Sequence, residues 1–274
     1  MTRTAYWHNK FSFGTSFVHI EALGIKKDFF MKAQIVLLFL AILIVSCGDD
    51  TSQFDMNVQL SFEDSPLIMA QDYTYPDGRT IRFNRVSFFM SDLTVSNGTE
   101  SVELFEAQHI NLTQSHVDAA SAAVGFQVIS EDLEMSDISS ATFNLGLTPA
   151  QNAMAPNEYP VESDLSNSAE YWIGWESYVF AKIEGLIDLD NDGNPESTFA
   201  LHLGSDDIMR TITMDGLDQS GDNYSLDIDI DVQSIFESNG AVFDIVETTN
   251  IHSLAQINEA SFLIDNWQAA IQRN

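Results

Sequence analysis

Residues 54–62 read FDMNVQLSF and place an apolar side chain at every second position. Residues 224–232 read YSLDIDIDV and show the same alternation, with acidic side chains at most of the polar positions. Successive side chains of a β-strand point to opposite faces of the sheet. Each stretch therefore predicts a half-buried strand that turns an apolar face inward and a polar face outward.

Strand and turn signals continue along most of the chain. Asn97-Gly98 is typical of a two-residue hairpin turn, and YPDG at residues 75–78 predicts another turn. Further strands are predicted at residues 81–95, 102–105, 109–112, 141–147, 170–188, 198–203 and 210–214. Apolar side chains at helical spacing predict a helix over residues 259–271. Together these elements predict an all-β fold, an antiparallel β-sandwich of Ig-like or Greek-key style with a short C-terminal helix.

The N-terminal part of the chain has the layout of a lipoprotein signal. Its apolar run at residues 35–45 is too short to span a bilayer, which needs ~20 residues. The run leads into Ile44-Val45-Ser46-Cys47, which resembles the lipobox that is cleaved before its cysteine. We expect an extension from a mistaken start codon at residues 1–30, a signal peptide at 31–46, a lipidated tether at 47–53 and a domain at 54–274. The alternative is a buried strand with a chance free thiol.

This layout predicts where the protein resides. Lipid on Cys47 would make the membrane a partner through an N-terminal anchor. The acidic residues directly after the cysteine resemble surface-export signals of some outer-membrane lineages. We therefore expect the protein on the outer membrane, displayed at the cell surface or otherwise facing the periplasm, with other envelope proteins as candidate partners.

The chain is strongly acidic, with 11 basic and 41 acidic residues. Without residues 1–47, six basic and 39 acidic residues remain, a formal charge of −33. Such a surface repels nucleic acid and attracts cations, so no nucleic-acid partner is expected. Disorder is a poor explanation of the charge because 45% of the residues are hydrophobic and fall into periodic strands.

One segment carries a resemblance to a known family. Residues 171–185 read YWIGWESYVFAKIEG and are followed by FALHLG at residues 199–204. This pattern resembles the MbnP-like family of methanobactin-associated copper-binding proteins. RVSFFMSDLTV at residues 85–95, ATFNLGL at 141–147 and DNWQAA at 265–270 resemble other family segments in the same order. The resemblance implies an all-β sandwich and copper binding outside the cytoplasm.

Copper sites of that family use histidines with an oxidised tryptophan, in some members as Trp-x-His. Ala107 stands two residues before His109, so that arrangement is absent here. His202 matches the histidine of the family's FHLG pattern, and His109 lies near a second family position. With His252, just before the predicted helix, they are the candidate copper ligands, because converging imidazoles bind copper well. The alternative is that these histidines are structural or lie on the surface.

A second candidate metal site lies in the loop DLDNDGNPE at residues 188–196. Its carboxylates at alternate positions and its glycine are typical of a tight turn around Ca²⁺. The candidate calcium ligands are Asp188, Asp190, Asp192 and Glu196. An EF-hand would have a glutamate at the twelfth position, where this chain has Phe199. The alternative is a solvated acidic turn.

Trp172 and Trp175 are predicted on opposite faces of one strand, as core residues or as a stacking surface for sugar. The sequence contains no nucleophile elbow, phosphate loop or metalloprotease helix, so we expect a protein that is not an enzyme. Two functions remain open. The first is a lipid-anchored envelope protein that binds or handles copper. The second is a surface module that adheres to glycan or protein and uses calcium only for rigidity.

Overall fold

Strands form most of the regular structure in the computed structural model, which describes residues 51–274. The predicted signal peptide and Cys47 lie outside the described residues. The prediction of a mostly β protein with several sheets and a C-terminal helix is confirmed. The strands of residues 51–274 are β1 (Ser52–Phe62), β2 (Ser65–Pro66), β3 (Asp72–Thr74), β4 (Thr80–Ser96), β5 (Ser101–Asn111), β6 (Phe126–Leu133), β7 (Ser140–Leu145), β8 (Tyr171–Trp172), β9 (Ser177–Tyr178), β10 (Ala181–Ile187), β11 (Ser197–Leu203), β12 (Arg210–Asp215), β13 (Asp218–Ser220), β14 (Asn223–Asp231), β15 (Glu237–Ser238), β16 (Ala241–Val242), β17 (Asn250–Ile251) and β18 (Ile271–Arg273).

The helices of the same part of the chain are shorter than the main strands, with one exception. They are α1 (Ala119–Ala122), α2 (Pro149–Asn152), α3 (Val232–Phe236) and α4 (Ile257–Ala270), with single 3₁₀ turns at Gln114–His116, Pro156–Glu158, Asp164–Ser166, Ser168–Glu170, Asp206–Ile208 and Leu254–Gln256. Within residues 51–274, none of the helices combines the length and the apolar character needed to cross a membrane.

The larger sheet is built around the long strand β4. Its strands follow the order β12-β7-β4-β10-β11-β17, and β3 and β5 also pair with β4. The predicted turns at 75–78 and at Asn97-Gly98 lie where expected, between β3 and β4 and between β4 and β5. Asp92 has a positive φ of 51°, and the registers of β4 with β5 and β7 shift beside it. This bulge lets the two ends of β4 pair with different neighbouring strands.

The smaller sheet contains both stretches with the clearest alternation. β1 and β14 are neighbours and run parallel, from Gln53 opposite Asn223 to Ser61 opposite Asp231. β17 also runs parallel to its neighbour β11. The prediction of a wholly antiparallel sheet is therefore wrong for these two pairs. Apolar alternation marks which face of a strand is buried but is the same for either strand direction.

One hydrophobic cluster joins the two large sheets and helix α4. It contains the apolar side chains of β1 and β14 from the smaller sheet and those of β4, β7, β10 and β11 from the larger one. α4 contributes Trp267, which is fully buried and meets the ring of Phe88 edge-on at 5.7 Å. The predicted closing helix thus packs its apolar face against the core.

The segment at residues 170–188 is interrupted, contrary to the prediction of one strand. β8 and β9 form a small hairpin, the turn between them includes Glu176 with a φ of 52°, and β10 follows after Phe180. The segments predicted as separate strands at 102–105 and 109–112 form the single strand β5. Tyr178 packs edge-on against Phe89 at 5.7 Å, so the β8–β9 hairpin lies against the larger sheet.

Candidate metal site

The parallel pairing of β11 with β17 brings His202 and His252 together. Ala200 lies opposite Asn250 and Leu201 opposite Ile251, so the next pair in this register is His202 and His252. The centres of the two imidazole rings are 4.7 Å apart. His202 is half-buried, while its neighbours Leu201 and Leu203 point into the core. The histidines therefore lie on the outer face of the larger sheet.

Trp172 completes an aromatic group around these histidines. Its ring centre lies 4.9 Å from that of His252 and 6.0 Å from that of His202. Trp172 also stacks on Trp175, with ring centres 4.8 Å apart and an interplanar angle of 11°. The prediction that the two tryptophans occupy opposite strand faces is therefore wrong. The reason is the turn after Trp172, in which the Trp175 N–H donates to the carbonyl of Trp172 and folds the chain back.

Two ring nitrogens at this site have no partner. Nδ1 of His202 and Nε2 of His252 are buried, and no hydrogen-bonding group among residues 51–274 meets either. An unsatisfied buried polar atom costs ~1–3 kcal/mol, so such atoms are rare unless a ligand completes them. Burial is the main cause that lowers the pKa of His252, which favours its neutral form. A neutral imidazole presents a lone pair, as metal coordination requires.

Glu184 determines which nitrogen of the His202 ring donates a hydrogen bond. Its Oε1 lies 2.7 Å from Nε2 of His202. The hydrogen bond from His202 holds the pKa of Glu184 below its usual range, so the carboxylate is ionised at neutral pH. An ionised carboxylate only accepts hydrogen bonds, so Nε2 carries the proton. In the neutral imidazole the lone pair of His202 is therefore on Nδ1.

His109 is not placed with the other two candidate ligands. It lies on β5, which is separated from β11 by β4 and β10. Three strand spacings correspond to about 14 Å, too far for His109 and His202 to share one ion. Nε2 of His109 instead lies 3.8 Å from Oε2 of Glu170. Of the three candidate histidines, the structure therefore brings His202 and His252 together and places His109 elsewhere, and copper binding by these residues stays a prediction.

Glu170 is the centre of a buried charge cluster beside the histidines. Its carboxylate lies 2.6 Å from Nζ of Lys182 and 2.7 Å from a guanidinium nitrogen of Arg85. Lys182 stands directly opposite His202 across the β10–β11 pair. Burial would raise the pKa of Glu170, but Lys182, His109 and Arg85 outweigh it and lower that pKa. Burial, the largest cause, lowers the pKa of His109, although the charge of Glu170 acts to raise it.

The predicted calcium ligands do converge. One carboxylate oxygen each from Asp188, Asp190, Asp192 and Glu196 lies within 4.8 Å of the others. Asp188 is buried and accepts hydrogen bonds from the N–H groups of Asp192 and Gly193. Burial raises its pKa, but these backbone donors outweigh burial and lower it. The other three carboxylates are exposed, so the loop has both a fixed oxygen and free ones.

The sequence patterns did not indicate three residues at or beside the histidine pair. These are Trp172, which contacts both imidazoles, Glu184, which binds His202, and Glu170, which binds Lys182. Glu184 had a usable signal. In an antiparallel pair with Lys182 opposite His202, Glu184 is the diagonal neighbour of His202 on the same face. Trp172 and Glu170 had no such signal, because their positions depend on the turn after Trp172 and on contacts across the sheet.

Comparisons with known proteins support a relationship over most of the chain. The family model described as MbnP matches residues 51–255. Among solved structures, MbnP from Methylosinus trichosporium is similar, with a TM-score of 0.51 at 9% identity, over 69% of this chain and 78% of that chain. At that identity the structural match shows a shared fold alone. No curated protein sequence matches the chain.

Proposed function

The chain belongs to the MbnP family, and from this premise we propose that it binds copper at the cell envelope through His202 and His252. The observation that carries the proposal is the pair of buried, unpartnered nitrogens, Nδ1 of His202 and Nε2 of His252, on neighbouring residues. Imidazole nitrogen is a good copper ligand. Copper held here is cargo or a bound metal to be handled, and we propose no enzymatic reaction.

Three surrounding features support this assignment. The acidic surface raises the local concentration of cations, which favours capture of a metal ion. The indole of Trp172, which stacks on Trp175, covers the histidines from one side, as its contacts with both imidazoles indicate. An open cavity of about 380 Å³ lined by Trp172, Val179, Lys182 and His202 borders the site. The site is thus partly shielded but reachable.

Copper titration tests the proposal. Wild-type protein, His202→Ala and His252→Ala are loaded with copper, desalted and analysed for bound metal. His109→Gln is the matched control, since it removes an imidazole outside the pair. Wild type and the control should retain copper, whereas each alanine variant should bind it orders of magnitude more weakly. Equal retention by all four proteins, or by none, refutes the site. Thermal melting of each variant separates metal loss from unfolding.

Calcium in the loop at residues 188–196 is the basis of the second candidate function. In that alternative the protein is a surface structural or adhesive module that binds glycan or protein, and calcium only stiffens the loop. The convergence of four carboxylates within 4.8 Å supports it. Metal analysis of protein purified without chelators separates the candidates. Stoichiometric copper favours the first function, and calcium alone favours the second.

Anchoring and fold detail complete the proposal. We infer a lipid anchor on Cys47 and an outer-membrane, surface-facing location, supported by the lipobox-like sequence. Cys47→Ala should move the protein out of the membrane fraction, and retention there would refute the anchor.

The two large sheets contribute to one hydrophobic cluster, which supports a sandwich arrangement. Ig-like or Greek-key connections stay a prediction.

A further inference from the structure

The histidine pair is asymmetric, because only His202 has a carboxylate partner. Glu184 and His202 are diagonal neighbours on β10 and β11, and Oε1 of Glu184 lies 2.7 Å from Nε2 of His202. The Nε2 of His252 has no partner among the described residues. The hydrogen bond to Glu184 therefore distinguishes the two nitrogens of His202, and nothing comparable acts on Nε2 of His252.

This bond has two consequences for His202. It keeps the proton on Nε2, and it fixes the ring so that Nδ1 stays in its buried position without a partner. Without it, the imidazole could turn about its side-chain bonds or exchange its proton, and either nitrogen could carry the lone pair. Carboxylates that bind the second nitrogen of a ligating histidine also increase its basicity.

Glu184 is itself held in place by the sheet. It stands opposite Arg85 on β4 and opposite Ala200 on β11. Its side chain is half-buried, and β10 is an internal strand with neighbours on both sides. The small Ala200 leaves room for the carboxylate to reach His202. A rigid strand position of this kind holds the side chain of a supporting residue in a precise geometry.

We propose that Glu184 is a positioning residue that makes Nδ1 the metal-binding nitrogen of His202, so that the pair binds through Nδ1 of His202 and Nε2 of His252. The proposal rests on the proposed copper function. It extends that function by assigning the ligand atoms and the residue that selects one of them. Glu184 does not touch the metal in this arrangement.

The first test uses metal-free protein. Side-chain ¹⁵N NMR at pH 8 reports which nitrogen of each histidine carries a proton. Wild-type His202 should be protonated on Nε2. Glu184→Ala should lose that preference, and Glu184→Gln should keep part of it because the amide oxygen still accepts a hydrogen bond. Protonation of wild-type His202 on Nδ1 overturns the proposal.

The second test measures copper affinity in the same variants. Glu184→Ala should bind copper ~10–100-fold more weakly than wild type, as is typical when such a partner is lost. Glu184→Gln should recover part of the loss. Glu103→Ala is the matched control, because it removes the same charge from an exposed position on β5. Wild-type affinity in Glu184→Ala overturns the role of Glu184 while leaving the copper site intact. No copper binding by wild type refutes the proposed function, whatever the NMR result.

Discussion

Replacement of Glu170 by glutamine is expected to destabilise the protein far more than the loss of a surface ion pair. Glu170 is 3% exposed and holds Lys182, which is 6% exposed, at 2.6 Å. Glutamine keeps the shape but removes the charge, so the ammonium of Lys182 stays buried without a counter-ion. Removing one partner of a buried pair costs ~3–5 kcal/mol. Arg85 is partly exposed and can be hydrated, so we expect the lower end, ~3 kcal/mol.

Urea and thermal unfolding measure this cost. For a domain of this size, ~3 kcal/mol corresponds to a fall in melting temperature of ~6–12 °C. Asp265→Asn is the matched control, because it breaks the ion pair with Arg210 at a carboxylate that is 58% exposed. That loss should stay below ~1 kcal/mol. A shift for Glu170→Gln no larger than the control shift refutes the reasoning.

The same substitution has a defined pH dependence. The pKa of Glu170 is lowered in the folded protein, so its contribution is complete above the unfolded carboxyl pKa of ~4.3 and is lost as the pH falls through the folded value. The difference in stability between wild type and Glu170→Gln should therefore shrink below pH ~4.3. A difference that stays constant from pH 7 to pH 3 contradicts the assignment of the charge cluster.

Three further predictions concern other parts of the fold. Nε2 of the buried His116 accepts a hydrogen bond from the N–H of Leu60 at 2.9 Å, and burial lowers the pKa of His116. The stability of wild type should fall as the pH drops below ~6.5, where the unfolded state takes up the proton, and the fall should be shallower in His116→Gln. Urea midpoints of wild type that are identical from pH 8 to pH 5 would contradict this prediction. Gly185→Ala should lower the free energy of unfolding, measured in urea, by ~1–3 kcal/mol, because the new methyl group would lie 2.0 Å from the carbonyl oxygen of Arg82. A variant as stable as wild type would exclude that clash. A calcium chelator should lower the melting temperature of wild type but not of Asp190→Ala; a wild-type curve that calcium does not change means that the loop is a solvated turn.

Local patterns predicted the strands well and their partners poorly. The buried positions of β1 and β14 follow directly from the alternation in FDMNVQLSF and YSLDIDIDV. Their parallel pairing does not, because the two strands are separated by about 160 residues of sequence that include most of the larger sheet. Hairpin turns such as Asn97-Gly98 were predictable, since the two-residue signal specifies the neighbouring strand as well as the turn.

The β8–β9 hairpin shows why an aromatic-rich segment is ambiguous. Residues 171–180 have the composition of a strand, and composition favoured one long strand. The backbone instead turns after Trp172, with Glu176 in a left-handed conformation that a sequence pattern reveals only weakly. Gly174 within the stretch was the available signal, because glycine inside a strand pattern often marks an irregularity.

The candidate site depends on two features that local patterns did not predict, the parallel strand pairing and the chain reversal after Trp172. His202 was recognisable as a candidate, but His252 reaches it only because β17 joins the sheet in a parallel register that local patterns do not encode. Trp172 reaches both histidines only because the chain reverses after it. His109 was an equally good candidate by residue type, and strand order alone removes it from the pair. The pair of free imidazole nitrogens is therefore a property of the tertiary fold, and substitutions that shift β17 should affect it as strongly as substitutions of the histidines themselves.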